Sequence, residues 1–212
     1  MLNLTALDED DRKLLQHSFN QIAENAAIVT DKEILHTLTS KVASLSTIPN
    51  GAFFSFQNLF QLDVLGSDAF IGQCLLDFGY PAKGKMVYSQ TRVYELQIVG
   101  YVQLKEDFGK TILRPETKLD RIANRFWNKP IKFDNAHKFN SNYYLVSSNK
   151  EMVMQYFDKD FINAIGTNKN IVLYIKADEM LITFASHIHV GQTKIIEQIL
   201  KKCKFLLPND GV

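Results

Sequence analysis

Apolar residues recur along this chain with two different periods, and the change of period divides it. Near the N-terminus Leu14, Leu15, Phe19, Ile22 and Ala26 fall at helical spacing, preceded by Thr5 and Asp8 in the arrangement of a capping box. Thr30 and Glu33 repeat that arrangement ahead of Ile34, Leu35, Leu38, Val42 and Leu45. The pattern predicts two helices that pair as an antiparallel hairpin and end before Ile48-Pro49-Asn50-Gly51, a cluster of breakers.

From Ala52 onward the texture becomes that of strands. Phe53–Leu62, Phe70–Phe78 and a long run from Val87 to Leu104 are rich in aromatic and branched residues. In the last of these, Tyr94, Leu96 and Ile98 alternate with Glu95 and Gln97, the period-2 mark of a half-buried strand. Gly100 is read as a bulge, and Tyr80–Lys85 as a hairpin tip.

Thr117 and Asp120 form a third capping box before the stripe Leu119, Ile122, Ala123, Phe126 and Trp127. Short strands are expected at Ile131–Phe133 and Tyr143–Ser147. Met152, Val153, Tyr156, Phe157, Phe161 and Ile165 mark one helix, closed by Gly166 and Asn168. Ile171–Lys176 and Met180–His189 read as a hairpin, and Thr193–Leu207 as a final helix. Helices, then strands, then a mixture predict an α+β fold with a largely antiparallel sheet flanked by helices and an N-terminal helical pair. The organisation expected is residues 1–48 as the helical pair and 50–212 as the α+β domain, together one structural unit.

Composition narrows the class. The 212 residues are 46% hydrophobic, enough for a full core without metals or disulfides. A net charge of +1 argues against broad neutralisation of nucleic-acid phosphates. Cys74 and Cys203 both sit in apolar stretches, as buried thiols do in a reducing compartment. Acidic residues follow the N-terminus, and no stretch approaches the ~18 apolar residues of a membrane span. These features predict a soluble, cytoplasmic protein.

Each candidate for chemistry has a structural counterpart. Gly79-Tyr80-Pro81-Ala82-Lys83-Gly84-Lys85 has phosphate-loop spacing, but Met86 replaces the hydroxyl that would ligate Mg²⁺, and a strand rather than a helix is expected to follow. His187 and His189 share a face if they lie on a strand, yet a zinc site needs at least one more protein ligand. Asp158 and Asp160 diverge on a helix, while Asp8 to Asp11 fill a first helical turn, where negative charge is favourable. No nucleophile elbow or supported Cys-His pair is present. The last helix sets Ile195, Ile196, Ile199, Leu200 and Cys203 against Lys194, Lys201, Lys202 and Lys204. That arrangement suits either docking on the sheet or contact with an acidic membrane surface.

Three stretches together resemble a family of conserved bacterial proteins with no assigned function. They are Leu76-Asp77-Phe78-Gly79-Tyr80, Leu113-Arg114-Pro115-Glu116, and Lys138-Phe139-Asn140-Ser141-Asn142-Tyr143-Tyr144-Leu145-Val146-Ser147. Leu119-Asp120-Arg121-Ile122 and the closing hairpin and helix follow in the expected order. The resemblance spans roughly residues 50–207 and implies a module rather than an activity, with no catalytic residue to transfer. It also implies membrane-spanning segments ahead of the module, where this chain has two polar helices. Pro115 fixes the backbone at the corner that Arg114 and Glu116 brace; Arg114 is also suited to carboxylate or phosphate.

The reading is a non-enzymatic binding or interaction module for a protein or small-molecule ligand. No catalytic residue, metal or cofactor is assigned, and no nucleic-acid partner is expected. A metal-assisted or carboxylate-based hydrolase and a peripheral membrane protein using the last helix stay open as alternatives. Isothermal titration with ATP and Mg²⁺ is expected to show no micromolar binding at the Gly79–Lys85 loop. Tight binding abolished by Lys85→Ala would refute that expectation.

Overall fold

A computed structural model describes residues 7–45, 53–62, 69–78, 94–118, 120, 129–189 and 191–203. The fold is α+β. Among the described residues its centre is an eight-stranded antiparallel sheet in the order β1-β2-β3-β4-β8-β7-β5-β6. The strands are β1 Ala26–Ile28, β2 Phe53–Leu62, β3 Ala69–Asp77, β4 Tyr94–Gln103, β5 Lys110–Pro115, β6 Tyr143–Ser147, β7 Ile171–Lys176 and β8 Glu179–Phe184. The helices are α1 Glu9–Ala23, α2 Lys32–Leu45, α3 His137–Asn142, α4 Lys150–Tyr156, α5 Lys159–Gly166 and α6 Gln192–Lys202.

Side-chain alternation sorts these elements into two layers. On β3, Ala69, Ile71 and Leu75 point into a core shared with Leu15 and Ile22 of α1 and Ile196, Ile199 and Leu200 of α6. Phe139, Val153 and Phe161 bring α3, α4 and α5 into the same core. The alternate β3 residues Phe70 and Cys74 turn the other way, joining Leu38, Val42 and Leu45 of α2 in a second core. The two N-terminal helices therefore do not stack on each other as the hairpin expectation had it. Three residues of β1 lie between them and pair with β2, so α1 and α2 pack on opposite faces of the sheet.

With both faces covered, all nine residues of β3 are buried, and its one amide side chain must be satisfied internally. Gln73 donates to the Leu15 carbonyl at 2.8 Å and to the Ser18 hydroxyl, and accepts from Asn58 at 2.6 Å. Asn58 reaches that face because β2 carries a bulge. The register slips between Phe56 and Asn58, so Phe56 faces the α2 core while Asn58 faces Gln73. Gly100, the expected bulge, stays in register, paired with Ile71 and Ile182. Its lack of a side chain serves packing instead, since a Cβ there would lie 2.5 Å from Ile196 Cγ2 on α6.

Other differences have local causes. The single helix expected around Met152–Ile165 is two, because Phe157 leaves the helical region and Asp158 caps α5 by accepting from Phe161 N at 2.8 Å. Ile131–Phe133 is not a strand, although Ile131 N donates to Leu145 O at 2.8 Å along the β6 edge. Strand β8 stops at Phe184, five residues before the expected His189. The N-cap of α2 is Asp31 rather than Thr30, accepting from Glu33 N at 2.8 Å and Ile34 N at 3.2 Å. Helix α6 begins at Gln192, behind Gly191 in a left-handed conformation. The N-cap of α1 is likewise Asp8, which accepts from Asp11 N at 2.8 Å, rather than the expected Thr5. The stripe ending at Trp127 and the loop at Gly79–Lys85 lie outside the described residues.

Gly100→Val should cost about 1–3 kcal/mol by overpacking the contact between β4 and α6. A denaturant midpoint equal to the parent's would show that Ile196 does not press on Gly100. In an Ile196→Ala background, which removes Cγ2, Gly100→Val should cost less than it does in the parent.

Candidate functional site

Helix α2 overlies the sheet incompletely, and its margin leaves a cleft of about 380 Å³ lined by Asp31, Glu33, Ile34, Thr37, Leu38, Lys41, Phe70, Tyr101 and Gln103. The apolar members follow from the same periodicities that build the fold. Ile34 and Leu38 are four apart on α2, and Phe70 and Tyr101 are register partners across β3 and β4. Their rings lie 6.4 Å apart at 45°.

A polar cluster closes one end. Lys41 forms an ion pair with Glu179 at 2.8 Å and donates to Tyr101 Oη at 3.2 Å and Gln103 Oε1 at 3.4 Å. The Tyr101 hydroxyl lies 3.1 Å from Gln103 Oε1 and 3.2 Å from Glu179 Oε1. Gln103 and Glu179 are register partners between β4 and β8, and Gln103 also donates to Asp178 O at 3.3 Å. Burial pushes the Tyr101 phenol up to about 12, so it stays protonated. The hydrogen bond to Glu179 raises Lys41 and keeps it cationic.

Nothing in the chain's local motifs marks this cluster. Lys41 sits beside the α2 stripe, Tyr101 is an inward strand position, and Glu179 opens β8. The available signal was an inward-facing Tyr, whose hydroxyl needs a partner when the ring is buried.

The candidates named from sequence are not brought together. His187 and His189 lie beyond the end of β8, in a segment that is not a strand, both exposed with the buried Ile188 between them. The His189 ring packs 6.2 Å from Phe184, and Gln192 holds the segment by donating to His187 O at 3.0 Å. Among the described residues no group of three or more His, Cys, Asp or Glu side chains is placed to hold a metal. Asp158 caps α5, and Asp160 pairs with Lys202 at 3.1 Å. Cys74 and Cys203 are free thiols in different cores, both pushed upward by burial. The apolar face of α6 is buried at Ile196, Ile199 and Leu200, so membrane contact through this helix would rest on its lysines. Among the described residues no helix is long and apolar enough to cross a membrane.

Arg114 is engaged at the corner after β5. Its two terminal nitrogens each meet one Asp120 oxygen at 2.6 Å, and its guanidinium lies 4.8 Å from the centre of the Tyr144 ring. The capping box expected there is formed: Asp120 accepts from Thr117 N at 2.8 Å, and Thr117 Oγ1 accepts from Asp120 N at 3.2 Å. The Arg114 guanidinium, with help from Thr117, holds the Asp120 carboxyl far below its usual range. This fork is occupied by its own chain.

The fold thus defines an α+β protein with a two-faced antiparallel sheet and a cleft beneath one helix. No family model matches the chain, and no curated protein matches it. Among solved structures it is similar to the crystal structure of the mycobacterial trehalose monomycolate transport factor A, TtfA. The identity is 10%, coverage is 95% of this chain and 97% of that one, and the TM-score is 0.41. At that TM-score the likeness carries no argument about function.

Asp120→Asn should lower stability at neutral pH by about 2–3 kcal/mol, the scale of lost charge-assisted hydrogen bonds. A depressed carboxyl stabilises the fold above its unfolded pKa of about 3.9 and loses that contribution as pH falls toward the folded value. The gap between parent and variant in urea should therefore narrow steadily below about pH 4. A gap independent of pH would mean that the pair contributes nothing through its charge.

Proposed function

We propose that this chain is a non-enzymatic binding module, and that the cleft beneath α2 receives a small-molecule ligand. The observation that carries this reading is the geometry of the cluster at the cleft's end, where Lys41, Tyr101, Gln103 and Glu179 are bonded to one another. The upward shifts of Tyr101, by burial, and of Lys41, by its hydrogen bond to Glu179, agree with that arrangement. These groups offer fixed polarity to a ligand. Apolar walls with a few placed polar groups are the usual make-up of a small-molecule site, and 380 Å³ lies within the usual range of about 300–1,000 Å³.

The two buried free thiols support placing the protein in a reducing compartment, which we propose to be the cytoplasm. The resemblance to the conserved bacterial family is part of the same proposal. It supports a module and adds no residue to the site.

Fragment titration followed by amide NMR tests the site. Fragments that bind should shift the signals of Thr37, Lys41, Phe70 and Tyr101. Thr37→Trp, placed on the exposed rim, should block those shifts while leaving the free protein's melting temperature within about 2 °C, as for most surface changes. Fragments that bind elsewhere, or that ignore the Trp, would refute the assignment.

A further inference from the structure

The charges around the cleft say more about the ligand than its volume does, and this inference rests on the binding-site reading above. Lys41 is the cation among the lining residues, and its charge is already answered by Glu179 at 2.8 Å. Its other contacts go to Tyr101 and Gln103, so it has little left for an anionic ligand. At the opposite end stand Asp31 and Glu33, both in the lining. Asp31 is engaged as the α2 cap. The Glu33 carboxylate has no hydrogen bond or ion pair among the described residues. Lys32, between them in sequence, does not line the cleft.

The positive end of α2 opposes these carboxylates, but a helix terminus carries only about half a unit charge. Two full negative charges outweigh it, and the rim at this end is net acidic. Between the two ends the surface is apolar: Leu38 and Phe70 are nearly buried, and Ile34 is left 39% exposed. We propose that the cleft takes a cationic amphiphile, a primary or quaternary amine on an apolar body. The body covers Ile34, Leu38 and Phe70, and the ammonium lies against Glu33 and Asp31. The Lys41–Glu179 pair closes the far end and penalises a carboxylate there, because Glu179 would have to share its cation.

Three probes with one body and different heads separate the possibilities: n-octylamine, 1-octanol and octanoate, titrated into the full chain below their aggregation concentrations. Exposed charge pairs are weak, each changing affinity by up to about fivefold. Attraction for one head combined with repulsion of the other should make octylamine roughly tenfold tighter than octanoate, with octanol between. Glu33→Gln removes this carboxylate without touching the Asp31 cap. It should reduce the octylamine preference several-fold and leave octanol unchanged.

Octanoate binding as tightly as octylamine, or a preference unaltered in Glu33→Gln, would overturn the amine assignment. If octanol shifts the cleft signals as strongly as octylamine, the cleft is a binding site and only the amine assignment fails. If none of the three probes moves those signals and fragments also fail, the binding-site reading falls with it.

Discussion

The covering of β3 on both faces is the constraint from which the rest of this structure follows. A strand buried on one face needs only alternate apolar residues, whereas β3 must satisfy two cores at once. Ile71 and Leu75 serve one, Phe70 and Cys74 the other. The one polar side chain in its centre, Gln73, is acceptable because α1 supplies a carbonyl and a hydroxyl for its amide, while Asn58 supplies a donor for its oxygen. An unsatisfied amide there would cost about 1–3 kcal/mol. The β2 bulge, the seat of α1 and the position of Gln73 are thus one solution to one problem.

The cleft arises on the other face. Among the described residues five helices crowd the α1 face, and Gly100 shows how tightly, since not even a methyl group fits under Ile196. On the opposite face α2 crosses the sheet where β4 ends and β8 begins in the polar pair Gln103 and Glu179. Leu38, Val42 and Leu45 seat α2 in the second core, and Phe70 and Tyr101 of that same core line the gap at its margin. Their rings are well buried, so the gap is narrow and lined rather than a bare sheet face.

The strands were legible in the sequence wherever both period and length were clear. The run Phe53–Leu62 and the hairpin strand Ile171–Lys176 fall where the alternation puts them. The third capping box, Thr117 with Asp120, formed at the spacing the sequence shows. What escaped had no local mark. Strand β1 is three residues long and exists only through its partner, and α3 is too short for a helical period to show. The break at Phe157 looks like continuous periodicity, because both halves bury aromatic residues in one core. The site escaped for a related reason. Lys41, Tyr101 and Glu179 are far apart in sequence and meet only when β4 pairs with β8 and α2 lies across them. Sequence drew attention instead to pairs close in the chain, such as His187 and His189, which the end of β8 at Phe184 leaves without a common strand.

The polar cluster has a structural duty as well as a place in the site, and the magnitudes decide how the two combine. The Lys41–Glu179 pair is partly exposed, with 37% of the Lys41 side chain in solvent, so as an ion pair it is worth at most about 1 kcal/mol. The Tyr101 hydroxyl is a different matter. Tyr101 as a whole is 3% exposed, and an unpaired phenol in that position would cost more than the ion pair gains. The first duty of Lys41, Gln103 and Glu179 is therefore to satisfy Tyr101 and so to let an aromatic residue form the cleft wall. Because that duty fixes all four side chains, the polar end of the cleft is already ordered before a ligand arrives. A ligand entering it would lose little free energy to ordering side chains, which is the main way a shallow site of this size gains affinity.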